Sequence, residues 1–358
     1  MKIMHIISST SSGGAEVFVR DLAIHQAAQE QVVIVAMSKG LDLEFHQNYE
    51  KAVRRNNIKL VILRKREKRS KFETIRYLRE IIDETKPSVI NFHHEYIAFY
   101  LKVALMNRKV CVIQTVHSIK FKYPIIYKVP AFFPTSGFIA VSSEVKKKML
   151  TSNTKLDAMI NTIPNGINLS NFHIINKHSN VDIKLINVAR LHRFKNHSCI
   201  IEALRILRQK GLVLKMMFVG EGPEMKKLMT LVNKYKMNDQ IAFLGLRHDV
   251  PVLLSASDIF ITASFVEGLP LSIIEAMASG LTIIASSIKP HKEILEDGSF
   301  GILFEVNNAG DLANKIERVY FDNTLRKTLR QKCIRKATDY DIRKTALETV
   351  NLYKKHIQ

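Results

Sequence analysis

Two glutamates, Glu267 and Glu275, stand with seven residues between them in SFVEGLPLSIIEAMASG, residues 264–280. Carboxylates accept hydrogen bonds from sugar or ribose hydroxyls, and neither would bind an anion directly. Glu275 is flanked by Ile273, Ile274, Ala276 and Met277, a costly setting for a charge unless something hydrogen-bonds to it. It either serves a ligand or occupies the solvent face of an ordinary helix, and spacing alone leaves both open. A second pair is cationic. Arg190 and Lys195 follow a strand-like run, and a strand end is where two cations would do most for a phosphate. Histidines form a third group, with the His93-His94 pair and His117 each following a strand-like run. Neighbours on a strand point to opposite faces, so His93 and His94 are read as structural rather than as a metal pair.

These residues need an α/β scaffold. Residues 258–263 and 281–285 read as buried strands around the glutamate segment. Proline suits a first helical position because its missing N–H has no intrahelical partner there, and Gly280 suits the left-handed residue that closes a helix. Residues 271–279 are therefore predicted to be a short helix. Its N-terminus would point at the carboxyl end of the preceding strand, where open α/β sheets bind ligands and where an anion is favoured. Elsewhere the same alternation recurs. Strands are expected at residues 3–8, 31–37, 59–63, 88–92, 110–115, 137–142, 184–188, 215–219 and 241–245. The first leads into Gly13-Gly14-Ala15-Glu16 and an amphipathic helix. That turn lacks the G-x-G-x-x-G spacing of a dinucleotide site, which argues against NAD.

With 358 residues and 46% hydrophobic content, two α/β domains are the better expectation than one. The formal charge of +21 points to an anionic partner: a phosphorylated ligand, a membrane surface or nucleic acid. Residues 1–172 hold 26 Lys and Arg against 14 Asp and Glu, so the charge is spread over both halves. No RNA- or DNA-binding signature accompanies it, and no nucleic-acid partner is expected. Cys111, Cys199 and Cys333 show no metal-ligand spacing, which fits a reducing cytoplasm. The apolar run of MKIMHIISS is too short for a secretory leader, and no segment has the apolar length of a membrane span.

EGLPLSIIEAMASG resembles the EX7E element of family 4 glycosyltransferases, retaining enzymes that use nucleotide-sugar donors. Four further pieces occur in order: the GGAE turn, Thr-Val-His117-Ser, Pro-Asn165-Gly-Ile-Asn, and Arg-x4-Lys at Arg190 and Lys195. The resemblance implies the GT-B fold, two Rossmann-like α/β/α domains facing across a cleft. The domains would be residues 1–172 on the acceptor side and 173–340 on the donor side, with the helix at 341–358 packing back on the first. It also implies roles. Arg190 and Lys195 clamp the leaving diphosphate, Glu267 holds sugar hydroxyls, Glu275 holds the ribose and His117 contacts the donor sugar. Gly13, Gly14 and Asn165 join the donor site from the first domain, and Leu246 and Arg247 read the base. Many relatives carry EGFGL where this chain has Glu267-Gly-Leu-Pro270-Leu. Since Pro270 cannot donate an N–H, phosphate contact must shift to Gly268, Leu269 or Leu271.

The implied reaction is metal-independent transfer, with retention, of a sugar from a UDP-sugar to a glycan or polyprenyl-phosphate-linked acceptor in bacterial surface polysaccharide synthesis. EGLPL also occurs among members that build such polymers. No cofactor is expected. The only D-x-D, Asp339-Tyr-Asp341, follows no strand, and built-in cations with a helix N-terminus can carry the diphosphate charge. A basic run at residues 64–71 and a Lys/aromatic segment at 121–138 suit a membrane surface, giving a cytoplasmic protein peripheral on the inner face of the cell membrane. The competing readings are a sugar-nucleotide epimerase of the same fold and, from another class, a basic nucleic-acid-binding protein.

Overall fold

The structure is a computed structural model in which residues 1–64, 70–174 and 183–357 are described. Residues 65–69 of the basic run, and 175–182 of the segment expected to link the domains, lie outside them. The chain divides into two units: Met1–Ile167 with Asp341–Gln358, and Asn168–Tyr340. The first stretch thus ends at Ile167 rather than at Phe172.

In the first unit the strands are β1 (Lys2–Ser9), β2 (Gln31–Ser38), β3 (Lys59–Arg64), β4 (Val89–Phe92), β5 (Cys111–Val116), β6 (Gly137–Ala140) and β7 (Ile160–Thr162). They form a parallel sheet in the order β3-β2-β1-β4-β5-β6-β7. Nearly continuous runs of Ile, Val and Phe explain this, because a parallel sheet is covered on both faces. Ile3, Ile6, Val35, Ile90 and Ile113 are all fully buried. Order reverses between β1 and β4, so the loops after these strands flank a crevice at their carboxyl ends.

The last helix, Ile342–Ile357, belongs to this unit and packs on the helix Gly14–Gln26. Its Tyr353 is fully buried and its hydroxyl accepts a hydrogen bond from the Asn91 amide. Thr345 donates to the Pro164 carbonyl at 3.0 Å. Gly166 makes room for this helix, since a Cβ there would lie 2.7 Å from Ile342 Cα.

The second unit contains β8 (Lys184–Val188), β9 (Lys215–Val219), β10 (Ile241–Phe243), β11 (Ile259–Thr262), β12 (Thr282–Ser286) and β13 (Ile302–Phe304). Their order is β10-β9-β8-β11-β12-β13, again parallel, with the reversal between β8 and β11. A core of Leu185, Ile200, Leu204, Phe218, Ile261 and Ile316 fills one face. Among the described residues, no helix of either unit is long and apolar enough to cross a membrane.

Candidate active site

The loops after β8 and β11 meet at the reversal point of the second sheet. Phe265 N–H donates to the Phe194 carbonyl at 2.8 Å, tying the two loops together. Across that tie Lys195 Nζ lies 2.5 Å from Glu267 Oε1. Both side chains are mostly withdrawn from solvent, at 25% and 11% exposure. Asn196, left-handed at φ 50°, turns the chain after Lys195 into the helix His197–Gln209. Its amide is anchored to Asn307 at 3.1 Å. Arg190 follows β8 directly and is exposed.

The helix expected at residues 271–279 spans Leu271–Ala278. Pro270 takes the N-cap position with extended backbone (φ −78°, ψ 91°) rather than the first helical position, and supplies no side-chain cap. Pro270 thus caps no first-turn N–H with its side chain, although its carbonyl accepts the Ile273 N–H at 3.1 Å, and Gly268 and Leu269 lead into this turn. The other end is closed by a Schellman motif. Gly280, at φ +73°, donates to Met277 O, and Leu281 donates to Ala276 O, both at 3.0 Å. Ile273, Ile274, Ala276 and Met277 are fully buried, while Leu271 and Glu275 are only partly so. Glu275 thus lies on the rim of the helix, outside the apolar packing its neighbours make.

Two glycines shape the floor. A Cβ on Gly220 would lie 2.2 Å from Ala189 O, and one on Gly222 would lie 2.3 Å from Leu191 O. The GEGP turn is therefore a close support for the loop that carries Arg190. Gly220 N–H also donates to Gly245 O at 2.8 Å, which brings in the turn of Leu246 and Arg247. Arg247 is engaged by Asp249 in a bidentate pair at 2.8 and 2.6 Å, while Leu246 is 38% exposed. Behind Glu267 sits fully buried His291, whose pKa is lowered to about 4 by burial, against the raising effect of the Glu267 charge.

In the first unit, His117 closes a buried hydrogen-bonded chain. Gln26 Oε1 is 2.7 Å from His5 Nε2, His5 Nδ1 is 3.2 Å from His93 Nε2, and His93 Nδ1 is 3.0 Å from His117 Nε2. His117 Nδ1 then lies 3.1 Å from the Asn165 amide nitrogen. A carbonyl oxygen at Gln26 makes His5 Nε2 a donor, and the same direction propagates to every neutral ring in the row. Burial lowers all three histidines, His5 to about 4 and His117 to about 3. Both His117 nitrogens are thus engaged within the protein, and its ring also packs against His93 and Phe18.

His94 turns the other way, its Nε2 3.5 Å from Glu16 Oε1. Glu16 also accepts from Ser8 Oγ at 2.7 Å. Gly13, the N-cap of the helix Gly14–Gln26, is extended at φ −72°. A Cβ on it would lie 2.3 Å from Glu16 Oε2, so the turn is tight because it houses this carboxylate.

A pocket of about 260 Å³ opens at the ends of β4 and β5, lined by His93, His94, Glu95, His117, Tyr123 and Tyr127 among others, with Lys120 and Lys122. Glu95 accepts the Tyr123 N–H at 2.7 Å and the Tyr127 hydroxyl at 3.1 Å. Burial nevertheless raises it above the ordinary carboxylate range.

The structure brings Lys195 to Glu267 and His117 to Asn165, residues that the sequence analysis named for the donor site without pairing them. Sequence reasoning missed the parts played by His93, Glu16 and Glu95. For Glu16 a signal existed, a carboxylate in the first turn of a helix directly after two glycines. Among the described residues no cluster of three or more His, Cys, Asp or Glu could hold a metal ion. The carboxylates of the D-x-D are engaged, Asp339 by Lys336 at 3.0 Å and Asp341 by Arg343 at 2.5 Å.

Comparison with known proteins gives matching results. The family model described as Glycosyltransferase Family 4 matches residues 12–171, and that described as Glycosyl transferases group 1 matches 171–339. The chain is 30% identical over 172 residues to the putative glycosyltransferase EpsD of Bacillus subtilis, covering 48% of this chain and 45% of EpsD. It is 27% identical over 272 residues to the UDP-Gal:alpha-D-GlcNAc-diphosphoundecaprenol alpha-1,3-galactosyltransferase of Escherichia coli, covering 69% and 70%. In structure it is similar to Anabaena HepE solved with UDP and glucose, with a TM-score of 0.84 over 99% of both chains at 18% identity. The two family matches abut and run together from residue 12 to residue 339, and the chain belongs to the group 1, family 4 glycosyltransferases of GT-B fold.

Proposed function

We propose that this glycosyltransferase moves a sugar from a UDP-sugar, with retention and without a metal, to a glycan or diphosphopolyprenol-linked acceptor in bacterial surface polysaccharide synthesis. The observation that carries the donor half is the joining of Lys195 to Glu267 across the loops after β8 and β11, with the helix Leu271–Ala278 starting four residues after Glu267. Transfer loads negative charge on the departing diphosphate. Arg190, Lys195 and the N–H groups near Gly268, Leu269 and Leu271 supply fixed positive potential for it. Glu267 accepts hydrogen bonds from the sugar, and Glu275, at the rim of the same helix, accepts from the ribose. Leu246 and Arg247 border the base. Gly13, Gly14, His117 and Asn165 are the first unit's contribution to donor binding.

The acceptor half is supported by the activity of the Escherichia coli relative, whose acceptor is a diphosphoundecaprenol-linked sugar. The pocket at Glu95, with lysines at its edge and a carboxylate in its wall, has the groups to take a sugar bearing a phosphate. Thermal shift with UDP-, GDP- and ADP-sugars tests the donor. A ligand at 100 times its dissociation constant adds about 2.7 kcal/mol. Label is then followed from the stabilising UDP-sugar into solvent-extractable lipid of bacterial membranes. Stabilisation by purine nucleotides alone would reject the UDP assignment, and label that stays water-soluble would reject the lipid-linked acceptor.

A further inference from the structure

The helix Ile97–Ala104 and the stretch at residues 121–133 expose an apolar surface that donor chemistry does not use. Phe99, Val103, Met106, Ile125, Val129 and Phe132 are each between 38% and 59% exposed. They belong to one surface. The Phe99 ring lies 5.4 Å from Tyr123 and 5.2 Å from Phe133, which lies 5.4 Å from Phe132. Val103 is four residues beyond Phe99 on the helix and so shares its face. Ile125 and Val129 frame the single helical turn Ile125–Lys128 between Tyr123 and Phe132.

The charges carried by the two segments that form this surface have one sign. The Lys102 ammonium sits over the Phe132 ring, with Phe133 5.8 Å away, and Lys122 is 5.7 Å from the Tyr123 ring. Lys122 and Lys128 are exposed. No Asp or Glu occurs between Glu95 and Glu144, a stretch that holds Lys102, Arg108, Lys109, Lys120, Lys122 and Lys128. Exposed aromatic and aliphatic side chains among lysines, on segments that carry no acid of their own, match the boundary between anionic headgroups and acyl chains. Tyr123 also lines the pocket at Glu95, so the surface runs continuously into it.

We propose that this surface seats in an anionic lipid bilayer and brings the Glu95 pocket to a membrane-held acceptor. Its purpose rests on the lipid-linked acceptor proposed above, but its test does not. The chain has no tryptophan, so Phe132→Trp places a sole indole in the surface. With vesicles of equal parts phosphatidylglycerol and phosphatidylethanolamine, its emission should shift to the blue and be quenched when the acyl chains are brominated. Adding Val103→Gln, Met106→Gln and Val129→Gln should weaken vesicle binding about tenfold or more. Should that variant fail to fold, Lys122→Gln with Lys128→Gln should weaken binding and flatten its salt dependence.

Binding without quenching would mean that attachment runs through another basic segment, such as residues 64–71, and would overturn the proposal. So would an absence of binding, apolar substitutions without effect, or a dimer that the same substitutions dissolve. A UDP-sugar thermal shift on each variant separates the two readings. Quenching with no donor response rejects the proposed function and leaves the surface standing.

Discussion

Lys195 and Glu267 form an ion pair at 2.5 Å between the loops after β8 and β11, so the two predicted catalytic charges are set against each other. The pair is mostly withdrawn from solvent, where desolvation offsets the attraction, so it is weak evidence for stability. Its consequence is positional, because each side chain holds the other at the place proposed for the diphosphate and the sugar. Lys195→Ala and Arg190→Ala should each lower turnover by at least ~100-fold, the scale seen when one charge-stabilising donor is lost. Tm should stay near the wild-type value in Arg190→Ala, whose side chain is exposed, and fall in Lys195→Ala, which leaves the Glu267 carboxylate unpaired. A Lys195→Ala, Glu267→Gln double variant should lose less than the two single losses combined, since the pair acts as a unit. Additive losses, or near-normal activity in both single cation variants, would contradict the assignment.

Turnover should persist in excess EDTA, because the positive potential offered to the diphosphate comes from Arg190, Lys195 and the start of the helix Leu271–Ala278. Assaying UDP release before and after chelation checks this. Complete loss, restored by magnesium or manganese, would place the phosphate site elsewhere.

The strands were readable because parallel sheets demand unbroken apolar runs, as in Ile259–Thr262 and Thr282–Ser286. Gly280 was readable as a helix stop because only glycine takes φ +73° without strain. The strand Ile160–Thr162 and the helix Leu43–Arg55 were not expected; one is too short to show a pattern, and the other is rich in polar residues. Pro270 was placed one residue too far into its helix, since a proline satisfies either position by φ alone. The histidine chain was hidden for a different reason. His5 lies within β1, His93 and His117 directly follow β4 and β5, and the three become neighbours only through the β1-β4-β5 order. His93 had been set aside as structural. It is structural, yet it is also what holds His117.

Acid should destabilise the fold before ordinary carboxylates protonate. His5 and His291 are fully buried, and burial lowers each from 6.5 to about 4. Between these values the unfolded chain binds a proton that the native chain does not. Stability is therefore complete above pH 6.5 and falls as pH drops toward 4, by about 1.4 kcal/mol per pH unit for each histidine. Urea titrations at pH 7.5, 6 and 5 measure the slope, and a flat profile would show that neither histidine is held neutral.

Gly166→Ala should cost about 1–3 kcal/mol, the usual range for overpacking, because its Cβ would meet Ile342 Cα at 2.7 Å and push the last helix away. Hydrogen exchange should then speed up in the helix Ile342–Ile357, while the second unit keeps its protection. Unchanged protection in that helix would mean that the Pro-Asn-Gly turn yields without cost.

The last prediction concerns the proton on His117. Gln26 presents an oxygen to His5, so each ring in the row donates from Nε2 and accepts at Nδ1, and the Asn165 N–H closes the row at His117. His117 should therefore be neutral, with its proton on Nε2, throughout pH 5 to 8, in keeping with a pKa lowered to about 3. Nitrogen-15 shifts of the imidazole distinguish the tautomers directly. Asn165→Leu removes the closing donor and should relax that tautomer preference, and Gln26→Leu should do so from the far end. A merely structural role for Gln26 would lower Tm in its variant without changing the His117 nitrogen shifts. A wild-type His117 that titrates near 6.5, or that carries its proton on Nδ1, would show that the row does not set its state.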